Sequence, residues 1–157
     1  MNLMFRRRAP RETKTATVAD VMVTAVVILS PTDTFAQAVV TLAKRSFRHL
    51  VIVDQDQKVL GIISDRDILR SMAHLTDWHD KLIRDLITAK PITATPQTLL
   101  SGAISTMISN NISCLPVVTN TGTVCGIVTS TDIMNSYQRL LESIEKANEQ
   151  EPASKHP

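Results

Sequence analysis

The sequence predicts an α+β fold: two β-α-β-β-α repeats packed face to face, with clefts between them. Two observations predict it. The chain is written twice, because residues 83–134 align on residues 18–69 without a gap, a constant shift of 65 positions. Within each half, short β-branched runs alternate with apolar residues at helical spacing. The clearest match sets Val59, Gly61, Ile62, Asp67 and Ile68 on Val124, Gly126, Ile127, Asp132 and Ile133. Asp20, Pro31, Ala38, Thr41, Leu50 and Val53 fall on Asp85, Pro96, Ala103, Thr106, Leu115 and Val118. An internal repeat fixes the architecture before any local reading does, and two copies are too few for a solenoid.

The elements follow in order. Thr17 caps a short helical turn over residues 18–22. Residues 26–29 are apolar, mostly β-branched and closed by Ser30 and Pro31, which predicts a buried strand. Residues 32–34 open a helix whose apolar face is Phe35, Val39, Leu42 and Ala43. Residues 46–48 break it. Residues 49–53 and 59–63 form a hairpin around the polar turn 54–57. Ser64 or Asp65 then caps a helix carrying Ile68, Leu69 and Met72.

The second half follows the same order. It has a turn at 83–87, a weak first strand at 91–94 and a helix at 99–109. A hairpin of 115–118 and 124–128 turns at Asn120, Thr121 and Gly122. A last helix starts at Asp132 and runs past Tyr137 to Leu140, Leu141 and Ile144. Residues 71–81, with Trp78 beside Asp77, His79 and Asp80, read as a solvated loop. His74 and His79 match no standard metal-ligand spacing. The expected division is a flexible basic arm at 1–16, repeat one at 17–74, a loop at 75–81, repeat two at 82–147 and a frayed tail at 148–157.

Composition narrows the function. Apolar residues make up 43% and charged residues 20%, as in an ordinary soluble protein long enough to bury a core. The net charge is only +2, and much of the basic excess is local to Arg6, Arg7, Arg8 and Arg11. With aromatics at 3%, neither a basic face nor a stacking platform for nucleic acid is expected. Cys114 and Cys125 belong to no Cys-x-x-Cys motif and read as buried free thiols of a reducing compartment, which suggests the cytoplasm. Arg6 to Arg8, an apolar run at 21–29 and Ala36-Gln37-Ala38 imitate a signal peptide. Glu12, Asp20 and Thr24 interrupt that pattern, and cleavage would remove part of repeat one. No segment reaches the roughly 18 apolar residues that span a bilayer.

The constellation that carries chemistry is the strand-turn-helix from Gly61 to Asp67 and its twin from Gly126 to Asp132. A strand glycine lets another group approach the backbone. A hydroxyl, Ser64 or Thr129, sits where a helix begins, and helix N-termini favour phosphate. An acid three residues on, Asp67 or Asp132, can accept two hydrogen bonds from a vicinal diol such as ribose. The same residues also spell an ordinary capping box. Capping and ligand binding do not exclude each other, and both remain open at this point.

The doubled unit, with residues 49–54 in repeat one, Leu115-Pro116-Val117-Val118 in repeat two and Gly-φ-φ-Ser/Thr-x-x-Asp in both (φ apolar), resembles a pair of CBS domains, the Bateman module. The resemblance runs from residue 17 to about 143 and is that of a stand-alone CBS-pair protein. It implies pseudo-two-fold packing, two clefts between the repeats, adenosine nucleotides bound there, and a homodimer. By that resemblance Ser64 and Thr129 hold phosphate, while Asp67 and Asp132 hold ribose hydroxyls. Backbone from Val27, Ile28 and Leu29, and from Ile92, Thr93 and Ala94, lines a base slot. Arg48, His49 and Leu50, with Ser113, Cys114 and Leu115, complete it.

The copies differ where charge matters. Repeat one has Arg48, His49 and Arg66 at the positions of Ser113, Cys114 and Thr131, so only repeat one can neutralise phosphate. Val51 stands where repeat two has Pro116.

No nucleophile has a paired base, and no Walker loop or metal motif occurs, so catalysis and a required cofactor are not expected. The expected function is a regulatory module sensing AMP, ADP or ATP, with NAD and S-adenosylmethionine as further candidates, acting on an unidentified protein. The alternatives are a dimerisation scaffold with empty clefts and a Mg²⁺ or polyphosphate sensor using Asp65 and Asp67. The dimer is expected on the helices starting near Thr34, Asp67, Leu99 and Asp132.

Overall fold

The structure is a computed structural model that describes residues 15–44, 47–74, 77–87 and 90–150. The basic arm anticipated at 1–16 lies outside these except for its last two residues, as do residues 151–157 of the expected tail. In chain order the elements are a 3-10 turn at Val18–Asp20, β1 (Ile28–Leu29), α1 (Phe35–Lys44), β2 (His49–Val53), β3 (Val59–Ser64) and α2 (Asp65–His74). A second 3-10 turn at Ile83–Asp85 follows, then α3 (Leu100–Ser109), β4 (Cys114–Val118), β5 (Val124–Thr129) and α4 (Ser130–Gln150).

The repeat seen in sequence is exact in hydrogen-bonding register. His49 faces Ser64, Leu50 faces Ile63, Ile52 faces Gly61 and Val53 faces Val59. Cys114 faces Thr129, Leu115 faces Val128, Val117 faces Gly126 and Val118 faces Val124. Every pair is reproduced at a shift of 65, and both hairpins break register before their last residue, between Ile52 and Val53 and between Val117 and Val118. The hairpin turns also coincide: Gln57 has φ 60° where Gly122 has φ 84°. That backbone region is natural for glycine and costly for glutamine.

The first strands are shorter than their apolar runs suggested. β1 holds two residues, parallel to β2, with Ile28 opposite Val51 and Leu29 opposite Ile52. In repeat two the strand expected at 91–94 reduces to one bridge, Ala94 to Val117. Pro116 explains the difference. In repeat one Val51 N donates to Val27 O at 3.1 Å, and the residue equivalent to Val51 is Pro116, which has no N–H to give Ile92. Ala94 N still donates to Pro116 O at 2.9 Å.

The two turns are exchanged between the halves. Val18, at the head of repeat one, is wholly buried among Ala94, Ala103, Met107, Leu115, Val117 and Val128 of repeat two. Ile83, at the head of repeat two, is wholly buried among Leu29, Phe35, Ala38, Leu50, Ile52, Ile63 and Ile68 of repeat one. The backbone bonds are reciprocal. Val18 N donates to Thr98 O and Ile83 N to Asp33 O, each at 2.9 Å; Leu100 N donates to Ala16 O at 3.0 Å and Phe35 N to Lys81 O at 2.8 Å. A third core of Val51, Val53, Val59, Cys114 and Ile127 joins the hairpins of the two halves.

Three readings change. Residues 71–74 belong to α2, and Trp78 is half-buried rather than solvated: its ring meets Phe35 edge-on at 5.5 Å and stacks on His79 at 3.6 Å. The last helix starts two residues before Asp132 and continues through Gln150, so residues 148–150 are helical where fraying was expected. Among the described residues, no helix is long and apolar enough to cross a membrane.

Candidate functional site

Each half presents a strand end turning into a helix, and its local chemistry is the same twice. Ser64 closes β3 and caps α2. Its backbone N–H donates to Asp67 Oδ2 at 2.9 Å, its hydroxyl donates to the same oxygen at 2.6 Å, and Asp67 N donates back to Ser64 Oγ at 3.3 Å. Thr129 and Asp132 repeat this at 2.8, 2.6 and 3.3 Å. Both are reciprocal capping boxes, which satisfy N–H groups that a helix start leaves unpaired. A carboxylate offers about four lone-pair sites, so a capping acid retains capacity for a second partner.

The strand glycines serve the exchanged segments. A Cβ on Gly126 would lie 3.0 Å from Met22 Sδ and 3.1 Å from the Val23 carbonyl oxygen. A Cβ on Gly61 would lie 3.1 Å from Ile87. The close approach that these glycines allow is made by the leading segment of the opposite repeat.

Two clefts open between the halves. Cleft one, of about 450 Å³, sets Ser64, Arg66 and Asp67 opposite Ile92, Ser113 and Cys114, with Arg48 and His49 also on its wall. Cleft two, of about 390 Å³, sets Thr129, Thr131 and Asp132 opposite Val27, Arg48 and His49, with Ser113 on its wall. Each cleft thus combines the strand-helix junction of one repeat with the leading strand segment of the other. Arg48, His49 and Ser113 line both, and His49 Nε2 lies 3.1 Å from Ser113 Oγ, bridging the halves.

Of the anticipated residues, Ile28 and Thr93 line neither cleft. They occupy the same position of the repeat, and Ile28 is 40% exposed. Leu29 and Ala94, next in line, are buried in the cores of their own halves, as are Leu50 and Leu115. Sequence reasoning missed Arg70, Lys90 and Asn111 in cleft one, and Phe47 and Met134 in cleft two. Arg70 was visible in principle, one helical turn beyond Arg66. Lys90 reaches the cleft only because its segment crosses to the other half.

The electrostatics follow from burial and pairing. Arg48 Nε donates to Asp65 Oδ2 at 3.0 Å, which holds the Asp65 carboxyl below its ordinary range. Burial pulls the His49 imidazole below its ordinary value, with Arg48 adding to the effect and Asp65 and Asp67 opposing it. Burial pushes the Cys114 thiol up to about 12, with the Asp67 charge adding to it. Cys114 is therefore a thiol at neutral pH and a poor nucleophile or metal ligand. Among the described residues, no group of three or more His, Cys, Asp or Glu is placed to hold a metal ion.

With the doubled junction and its clefts described, comparison with known proteins is decisive. The model of the CBS domain family matches residues 18–74 and 83–139. The chain belongs to the CBS domain family. Its two CBS domains form a pair similar to the CBS domain pair of protein MJ0100, crystallised with 5′-methylthioadenosine and S-adenosyl-L-methionine. That likeness has a TM-score of 0.72 at 31% identity and covers 79% of this chain and 97% of the other. The CBS domain protein PAE2072 from Pyrobaculum aerophilum, complexed with AMP, gives a TM-score of 0.72 at 26% identity, covering 81% and 97%. Protein MK0525 from Methanopyrus kandleri is 28% identical over 134 residues, 85% of this chain and 68% of the relative. Of the next three curated relatives, the chain spans between 21% and 41% of the length. There the shared part is a portion of a longer protein.

Proposed function

We propose that this CBS pair is a regulatory sensor that binds an adenosine ligand in the clefts between its repeats and changes shape or assembly in response. The observation that carries the reading is the hydroxyl-acid junction, present in both halves and bordering a cleft each time. Ser64 or Thr129 at a helix start favours phosphate, and Asp67 or Asp132 suits a ribose diol. The chain's likeness to pairs crystallised with AMP, and with methylthioadenosine and S-adenosylmethionine, supports an adenosine moiety. Val27 and Ile92, which line the clefts, are the strand residues placed to meet the base, while Ile28 and Thr93 follow them in sequence outside the clefts. The role is regulatory rather than catalytic, and the free thiols Cys114 and Cys125 suit a reducing compartment such as the cytoplasm.

The assembly we infer is a homodimer. Leu69 and Met72 on α2 are 69% and 41% exposed, and their equivalents on α4, Met134 and Tyr137, are 62% and 60% exposed. Apolar groups repeated at matching positions on two helices form a surface suited to a second copy. Light scattering at micromolar concentration should give twice the chain mass, and Leu69→Glu should halve it.

A second reading has its own observation. The hydroxyl and acid of each junction already satisfy one another as caps, as a pair that only scaffolds a dimer would require. A thermal-shift panel of AMP, ADP, ATP, NAD and S-adenosylmethionine separates the two. A ligand at about a hundred times its dissociation constant adds about 2.7 kcal/mol, a rise of several degrees. No shift from any of the five would favour the scaffold, and a shift that needs Mg²⁺ would favour a cation or polyphosphate sensor.

A further inference from the structure

The two clefts have the same backbone and opposite linings. Cleft one carries Arg48, Arg66, Arg70 and Lys90 against the carboxylates of Asp65 and Asp67. Among the described residues, cleft two has Arg48 alone against Asp132, and Phe47 and Met134 stand on its wall beside Val26 and Val27. Arg66, Arg70 and Lys90 have no counterpart there, because a shift of 65 puts Thr131 and Asn135 at the arginine positions, and Ala25 at that of Lys90. Cleft one also adjoins a cavity of about 280 Å³ beneath α2, with which it shares Ile62, Asp67 and Arg70. It therefore offers a longer ligand both room and cationic partners.

We propose that the clefts divide adenosine ligands by their 5′ group. Cleft one takes a nucleoside polyphosphate whose chain is neutralised by Arg66, Arg70 and Lys90. Cleft two takes an adenosine whose 5′ substituent carries no phosphate and packs against Phe47 and Met134; Thr129 still offers a helix start there, but without the cations that Arg66, Arg70 and Lys90 add in cleft one. A polyphosphate in cleft two would lose its hydration with one arginine among the described residues to replace it, and that arginine already holds Asp65. An apolar 5′ group in cleft one would gain nothing from its arginines. The division rests on the adenosine reading above and adds which ligand class each cleft selects.

Calorimetric titration of the full chain with ATP and with 5′-methylthioadenosine, singly and together, tests it. We expect one ATP and one methylthioadenosine per chain, bound side by side, with only the ATP affinity falling steeply with salt. Arg70→Ala and Lys90→Ala, both at exposed positions, should each weaken ATP about threefold to tenfold and leave methylthioadenosine unchanged. Phe47→Ala should do the reverse. Two equivalent ATP molecules per chain, or displacement of methylthioadenosine by ATP, overturns the division and leaves the adenosine reading standing. Equal loss of both ligands in Arg70→Ala also overturns it. Failure of both ligands to bind overturns the division, and the adenosine reading falls with it only if AMP, ADP, NAD and S-adenosylmethionine also leave the melting temperature unchanged.

Discussion

Hairpins β2–β3 and β4–β5 pair residue for residue at a shift of 65, down to the register break before Val53 and Val118, yet they border clefts of unlike charge. Among the described residues, cleft one gathers four basic side chains and two carboxylates, cleft two one of each. The positions that agree are those turned into the cores or required by the backbone: Leu50 and Leu115, Gly61 and Gly126, Asp67 and Asp132. The charged positions that differ, Arg66 and Thr131 or Arg48 and Ser113, are exposed, while differences in the cores, such as Ile52 and Val117, exchange one apolar residue for another. Packing constrains the first set, since a change of one methylene in a close-packed core is felt, and leaves the second free to follow a ligand.

Four sets of changes break or sharpen this comparison. The largest effect is expected at the exchanged turns. Ile83→Ala should cost about 2–5 kcal/mol, as truncation of a fully buried isoleucine does. The loss should appear in repeat one, as faster amide exchange in β2 and β3. Faster exchange confined to β4 and β5 would contradict the exchange of turns. Next come the glycines. Gly126→Ala drives a methyl against a backbone carbonyl and should cost about 1–3 kcal/mol in denaturant unfolding. Gly61→Ala meets only the Ile87 side chain, which can give way, and should cost less. Equal costs would mean that the two crossings are equally tight.

Third, Asp67→Ala and Asp132→Ala should each remove a cap worth about 0.5–2 kcal/mol in melting experiments. If ribose is held there, each should also weaken nucleotide in its own cleft about tenfold to a hundredfold. Lower stability with unchanged affinity would leave both aspartates as caps only.

The smallest effect concerns His49, whose equivalent is Cys114. The folded His49 titrates below the ordinary 6.5, so below about pH 6.5 the unfolded chain binds more protons than the folded one. Stability should therefore fall as pH drops below 6.5 and level off once the folded imidazole is also protonated. His49→Gln should flatten that slope in melting curves from pH 7 to 5. An identical slope in the variant would assign the titration elsewhere.

The hairpins, the four helices and both capping boxes were legible because each is a local pattern: β-branched runs, helical spacing, a hydroxyl and an acid three apart. The short first strand of repeat two was half-legible, since Pro116 stood in the sequence but its effect needs the parallel partner, Ile92. The exchange of turns was not legible. Val18 and Ile83 announce themselves as apolar and buried, but periodicity does not say in which core. The same gap explains Lys90 and Phe47, which face clefts whose strand-helix junction belongs to the other half. It also explains why the strand glycines announced a close approach without saying by what: Met22, Val23 and Ile87 make it.

The traded turns have a topological consequence. Each half borrows its closing piece from the other, so a cut in the loop before Lys81 would yield two fragments, neither with a complete interior. Such fragments should rejoin without a covalent link, each restoring the other's missing piece. A gene encoding one half alone would meet the same requirement only by trading turns between two identical chains. Read that way, the doubled sequence is a dimer whose partners have been tied end to end. In a single chain the two halves can differ in charge, as these clefts do, which two identical chains could not.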